Sequence, residues 1–192
     1  MTVGNTMQNS WREIYQHDEY RYFGSNGPSK LQRWFRPSLR YSRMLRRAQS
    51  ASQQGNRIQL IIAKIFLSRM TTKWHFQIPP ETRIGPGLYL GHIGAIVVNP
   101  DATLGRNVNL AHGVTIGQAN RGHLKGAPTI GDHVWIGTGS TIVGKITIGN
   151  DVLIAPNTYV NFDVPAHSIV VGNPGKITSR ENATSGYINN TL

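Results

Sequence analysis

The sequence predicts a mainly β fold: a parallel β-helix, or solenoid, built of hexapeptides and joined to a small N-terminal α-helical region. Two observations carry this. Aliphatic–Gly pairs recur at Ile84-Gly85, Leu90-Gly91, Leu104-Gly105, Ile116-Gly117, Ile130-Gly131, Ile136-Gly137 and Ile148-Gly149. Between them Val98, Leu110, Ile142, Ile154 and Val160 keep a step of six. A fixed short period of this kind is the mark of a parallel solenoid.

The beat has a physical reading. One aliphatic side chain per hexapeptide points inward and stacks on its equivalent in the next coil, so each coil meets only its neighbours. Glycine after the aliphatic residue turns the corner without a Cβ clash. Three hexapeptides make one triangular coil, and coils rise by about 4.8 Å, the strand spacing. The inward positions fall into three phases: Ile84, Leu90 and Ile96; then Val98, Leu104, Leu110 and Ile116; then Ile130 to Val160. The phase breaks lie at His92 to Ala95 and in the segment Gln118 to Pro128. Insertions in a solenoid become loops.

The remaining elements follow from local signals. Met1 to Asn9 is read as disordered, and Trp11 to Tyr22 as a short helix. Gly24, Gly27 and Pro28 break the chain. Pro37 to Ser50 and Asn56 to Met70 read as helices joined near Gly55. The solenoid runs from Ile78 to about Val160, and Val164 to Ile177 closes it. The polar tail from Thr178 reads as mobile. The domain division is 1–76 helical, 77–177 β-helix and 178–192 tail.

Composition narrows the class. A length of 192 residues fits one domain plus an appendage. With no cysteine there are no disulfide staples and no Cys-ligated zinc, which fits a reducing cytoplasm. No apolar run reaches the length of a membrane span, and no signal-peptide core is evident. The stretch Ile58 to Leu67 is apolar but short, holds Lys64, and is read as a buried helix. Charge is uneven: residues 1–80 hold 13 Lys and Arg against 3 Asp and Glu, while the solenoid half holds 7 against 6. The basic run from Lys30 to Arg47 reads first as a solvated helix face. Attraction to an anionic membrane, as a peripheral contact at its inner face, or to a lipid-phosphate substrate is the second reading. No nucleic-acid motif accompanies the charge.

The stretch from Ile78 to Ile177 resembles a known family, the left-handed β-helix acyltransferases, and within it the serine acetyltransferase-like branch. The resemblance is carried by Leu90-Gly91-His92-Ile93-Gly94-Ala95-Ile96-Val97-Val98, Gly113-Val114-Thr115-Ile116-Gly117, Pro128-Thr129-Ile130-Gly131-Asp132, Val134-Trp135-Ile136-Gly137 and Val170-Val171-Gly172-Asn173-Pro174-Gly175-Lys176-Ile177. It implies a left-handed coil, acetyl-CoA as donor, a hydroxyl acceptor and a homotrimer. Gln-Ile-Pro-Pro together with Gly-His is similar to transferases of bacterial surface-polysaccharide synthesis.

The resemblance also implies a site. His92 takes the catalytic position, and imidazole is suited to remove a hydroxyl proton near neutrality. The family's partner Asp is matched by Gln77, whose carbonyl can orient a ring but carries no charge. Asp18 is an alternative carboxylate. His112, one coil on, is a second candidate. Thr138, Ala155, Asn161, Gly172, Asn173, Pro174 and Lys176 match the acetyl-CoA contacts, with Trp135 either flanking the cofactor or packing. The family's Arg-His pair before Pro128 is replaced by Gly126 and Ala127, and Arg121 and His123 lie nearby in the loop. These departures point to a sugar hydroxyl of a surface glycan or its precursor, with serine as the alternative. A zinc hydratase on the same solenoid is disfavoured, because histidines at 92, 112, 123 and 133 do not follow its three-His spacing. A silent scaffold is the third reading. His75, His133 and His167 read as structural.

Overall fold

The computed structural model describes residues 10–191. The expectation for Met1 to Asn9 lies outside the described residues. Helix α1 (Trp11–Phe23) starts at a capping box. The Ser10 hydroxyl accepts from the Arg12 amide, and the Glu13 carboxylate accepts from the Ser10 amide. A second box, Ser29 with Gln32, opens α2 (Lys30–Phe35), a helix not expected from the sequence reading. Its signal was the Ser-x-x-Gln pattern, masked by Pro37 beginning the next helix so soon. Helix α3 (Pro37–Gln53) has its proline at the first turn, where no amide partner is lost. Helix α4 (Arg57–Trp74) runs four residues beyond Met70 and ends where His75 turns left-handed (φ 60°). The extension buries Trp74 in the same cluster as Phe76.

Strands then follow in chain order. The first five are β1 (Phe76–Gln77), β2 (Arg83–Ile84), β3 (Tyr89–Leu90), β4 (Ile96–Val98) and β5 (Thr103–Leu104). The next five are β6 (Asn109–Leu110), β7 (Thr115–Gly117), β8 (Thr129–Ile130), β9 (Val134–Ile136) and β10 (Thr141–Val143). The last are β11 (Thr147–Ile148), β12 (Val152–Ile154), β13 (Tyr159–Val160), β14 (Ser168–Val171) and β15 (Lys176–Ser179). They form three parallel faces of a prism. The first face stacks β1, β4, β7, β10 and β13; the second stacks β2, β5, β8 and β11; the third stacks β3, β6, β9, β12 and β14, with β15 antiparallel at its end.

Register pairs the inward residues coil by coil. Val98, Ile116, Ile142 and Val160 align on the first face, and Ile84, Leu104, Ile130 and Ile148 on the second. Leu90, Leu110, Ile136, Ile154 and Val170 align on the third. All but half-buried Ile84 are buried. Corners are tight: a Cβ on Gly105 would meet the carbonyl carbon of Gly131 at 2.6 Å. The aligned residues locate the phase breaks. The corner at His92–Ala95 is two residues longer than its equivalents, and the segment Gln118–Pro128 is an insertion between the first and second faces.

The first coil has no coil before it, so its outer edge must find other partners. Helices α1 and α3 supply them through side chains. Asp18 accepts from the Gly87 and Leu88 amides at 3.0 and 2.8 Å. Tyr22 Oη accepts from the Leu90 amide and donates to its carbonyl. Tyr41 Oη does the same for Ile78. Arg46 donates to the Ile84 and Gly85 carbonyls and pairs bidentately with Asp18, at 2.8 and 3.0 Å. Gln49 donates to the Thr82 carbonyl. The basic run is therefore not a uniform solvated face. Arg33 pairs with Glu19, Arg36 lies over Tyr22 and Phe23, and Arg47 lies over Trp11.

Two further expectations are corrected. The tail beyond Ser179 is docked rather than loose. The Ala183 and Thr184 amides and the Thr184 hydroxyl donate to Asp151, Tyr187 packs on Trp135, and Arg21 donates to the Asn189 carbonyl. The tail thus runs back along the third face from the last coil to α1. The stretch Ile58 to Leu67 is helical but buries only Ala63 and Leu67.

Removing one partner of a buried, fully bonded ion pair leaves the other charge stranded. Asp18→Ala is expected to cost about 3–5 kcal/mol in urea unfolding. Glu81→Gln, at the half-exposed Lys64–Glu81 pair, is expected to cost under about 1 kcal/mol. Equal costs would show that the cap is not what holds the first coil.

The tail is also pH-sensitive. Burial alone would raise the Asp151 carboxyl, but bonds from Thr184, the His167 ring and the Ala183 amide outweigh it and leave the group lowered. His167 is raised, first by its bond to Asp151 and then by Glu181. The Asp151 contribution is present above about pH 4 and lost as pH falls through its lowered value. The His167 contribution is present below about pH 6.5 and lost as pH rises through its raised value. Normalised amide protection at Ala183 and Thr184 should therefore fall on the alkaline side of that window. His167→Ala should abolish this fall; an unchanged alkaline limb in the variant would contradict the assignment.

Candidate active site

The corner between the third and first faces collects the site. Two residues beyond the aligned Leu90, Leu110, Ile136, Ile154 and Val170 stand His92, His112, Thr138, Pro156 and Gly172. Register alone therefore lines two imidazoles, a hydroxyl and the closing turn along one edge. At about 4.8 Å per coil, His92 and Gly172 lie roughly 19 Å apart. The edge is long and narrow, which suits an extended ligand.

His92 and His112 meet within one chain. Both are exposed, and their ring centroids are 5.8 Å apart at an interplanar angle of 85°. The longer corner makes this contact. Gly94 (φ 149°) bonds its amide to the Trp74 carbonyl, and a Cβ there would come within 2.8 Å of the His112 Cβ. Only glycine leaves the second imidazole its place. On the N-terminal side, Tyr22 clamps Leu90 and stacks on Tyr89 at 4.3 Å, fixing the strand that leads to His92.

Gln77 lies on β1, exposed and in register with Val97. Among the described residues no hydrogen bond links it to His92; the near neighbour of that ring is His112. Asp18 is corrected outright. It is fully buried, with both oxygens taken by Arg46 and two backbone amides, so it cannot meet a substrate.

The cofactor candidates divide. Thr138 is half-buried on the histidine edge. Ala155 is on that edge too, but its amide is already donated to the Val170 carbonyl and its carbonyl accepts from the Ser140 hydroxyl. It offers little but surface. Gly172, Asn173 and Pro174 form the turn into β15, which places exposed Lys176 opposite Val171. Asn161 follows β13 on the first face, so within its own chain it lies at the other corner, away from the histidine edge. Arg121 and His123 are exposed in the loop at that same corner, pinned by bonds between Ala119 and Gly126 and from the Lys145 amide to the Leu124 carbonyl. Trp135 packs against Tyr187 of the chain's own tail.

The histidines read as structural stand outside the His92–His112 pair, at turns of the chain. His75, His133 and His167 all occupy left-handed turn positions, and His133 bonds to the Asn107 side chain. The sequence reading missed one feature of the site. The Arg40 guanidinium lies 5.1 Å from the Trp34 ring and 5.2 Å from the Trp74 ring, stacking both beside the backbone that holds Gly94. No local pattern signals it, because the three residues come from three helices. A separate cleft of about 700 Å³ between α1, α3 and the second face holds no histidine.

Known proteins share this design. The family described as bacterial transferase hexapeptide (six repeats) matches residues 127–161. Serine acetyltransferase 2 of Arabidopsis thaliana is 35% identical over 127 residues, covering 66% of this chain and 39% of that protein. The serine acetyltransferase of Staphylococcus epidermidis is 38% identical over 120 residues, covering 62% and 55%. The chain therefore spans about two fifths to just over half the length of these two relatives. Among solved structures, soybean serine acetyltransferase superposes with a TM-score of 0.75 at 29% identity, covering 88% of this chain and 69% of that one. The Neisseria gonorrhoeae serine acetyltransferase in complex with serine gives 0.72 at 28%, covering 86% and 68%. The chain thus carries the hexapeptide repeat over residues 127–161 and is similar in sequence and fold to serine acetyltransferases.

Proposed function

We propose that the protein is an acetyl-CoA-dependent O-acetyltransferase in which His92 is the general base. The observation that carries this is the shared edge: paired imidazoles at one end, then Thr138, and the Gly172–Pro174 turn at the other. In this reading the thioester of acetyl-CoA lies along the edge with its acetyl carbonyl at the histidines. His92 takes the proton of an acceptor hydroxyl as its oxygen attacks the carbonyl carbon. Collapse of the tetrahedral intermediate expels the CoA thiolate, which takes a proton from the imidazolium. His112, at ring-contact distance, is the candidate to hold the acceptor or the developing oxyanion. Gln77 would serve only as an uncharged orienting group.

Arg121, His123 and Asn161 join this site only from a neighbouring protomer, since they sit at a different corner of their own prism. A homotrimer, with flat faces buried about a threefold axis, would bring that corner of one chain against the histidine edge of the next.

Serine is the acceptor favoured by the names of the similar proteins. A sugar hydroxyl is the second reading. It is favoured by Gln77 and by Gly126-Ala127, where charged and hydrogen-bonding side chains would otherwise receive a small amino acid.

The test is release of free CoA from acetyl-CoA, with L-serine and a surface-glycan extract as separate acceptors. His92→Ala is expected to lower turnover by about 10²–10⁴-fold while acetyl-CoA binding persists. Release with serine alone selects the first acceptor, and release with glycan alone the second. Retained turnover in His92→Ala would remove the general-base assignment, and failure of wild type to bind acetyl-CoA would remove the transferase reading.

A further inference from the structure

Helix α4 carries an apolar face that nothing among the described residues covers. Ile58, Ile61, Ile62, Ile65 and Phe66 recur at helical spacing and are 73, 58, 50, 50 and 44% exposed. The opposite face is also apolar: Ala63, Leu67 and Trp74 are buried. A helix apolar on both sides is normally covered on both sides. An exposed stripe of five large apolar residues is too contiguous to be ordinary surface.

The charges identify what fits it. Helix α4 carries Arg57, Lys64, Arg69 and Lys73 and no acidic residue. Lys64 is paired with Glu81, while Arg57, Arg69 and Lys73 make no ion pair among the described residues. On the helical wheel Arg69 and Lys73 fall within the angular span of the stripe, one to two turns beyond it, and Arg57 flanks it. A second copy of this face would set like charges against one another with no acid between them. An anionic surface attracts them and accepts the isoleucines at the same time. At 18 residues, α4 is about 27 Å long, yet no helix of the described residues is long and apolar enough to cross a membrane. Its fit is to lie in the headgroup plane.

We propose that α4 is a peripheral docking helix for an anionic phospholipid surface, with Ile61, Ile62 and Ile65 entering the acyl boundary and Arg57, Arg69 and Lys73 meeting lipid phosphates. This goes beyond the transfer reaction and holds whichever acceptor is used.

The experiment is vesicle flotation of the full-length protein, with phosphatidylcholine vesicles compared to vesicles containing about one third phosphatidylglycerol. Wild type is expected to float with the anionic vesicles, to stay behind with the neutral ones, and to release as salt rises. Ile61→Asp/Ile65→Asp lies on the solvent face and should fold normally, with CoA release unchanged and vesicle partition reduced by roughly tenfold or more. Arg69→Glu/Lys73→Glu should lose the preference for anionic vesicles. Failure of wild type to float would overturn the proposal. So would an Ile61→Asp/Ile65→Asp variant that floats like wild type, or one whose oligomeric state falls in light scattering without loss of flotation, since the face would then be an interface between copies.

Discussion

Everything in this molecule depends on closing the open edge of the first coil. A solenoid satisfies its backbone by stacking, and each coil stabilises only the next. The first has no predecessor, so its amides and carbonyls would face water or another chain. Two tyrosines, an aspartate, two arginines and a glutamine from α1 and α3 meet that edge instead. The Asp18–Arg46 pair at the centre is buried at 2.8 Å, and its worth lies less in the ion pair itself than in the backbone groups it occupies. The two residues bond each other, so the helices and the coil are fixed as one unit.

That cap reaches into the candidate site. Tyr22 holds Leu90, two residues before His92, and Trp74 at the end of α4 accepts from Gly94, two residues after it. The imidazole pair is thus suspended between the helical region and the second coil. The same corner that gains two residues to let His92 out of the wall uses glycine to let His112 stand beside it. The tail repeats the logic at the other end, where β15 closes the last coil and the chain returns to Arg21.

The distribution of cations follows from these demands. Much of the positive charge of the helical region is spent inside the protein, on carboxylates, carbonyls and aromatic faces. The residues left free on α4 stand beside its uncovered isoleucines. The sequence suggested one basic surface; the structure separates structural arginines from those facing outward.

The six-residue beat by itself determined the β-helix, its inward residues and the two corner insertions, because each inward position is a local property of its own hexapeptide. The beat and the insertion lengths also gave His92 and His112 an equal phase but left open whether they meet within one chain or between chains; the folded chain pairs them itself. Three-dimensional packing alone decided the rest. Asp18 looked like a free carboxylate because nothing near it in sequence bonds it; its partners are 28 to 70 residues away. Asn161 matched by position along the chain, but the corner it occupies depends on which face its strand joins. The tail looked mobile because its composition is polar, yet its anchors on Asp151 and Arg21 lie 32 to 168 residues back along the chain. Periodic stacking writes itself into local sequence, whereas caps, corners and docked tails depend on distant groups meeting once, and only the folded chain brings those together.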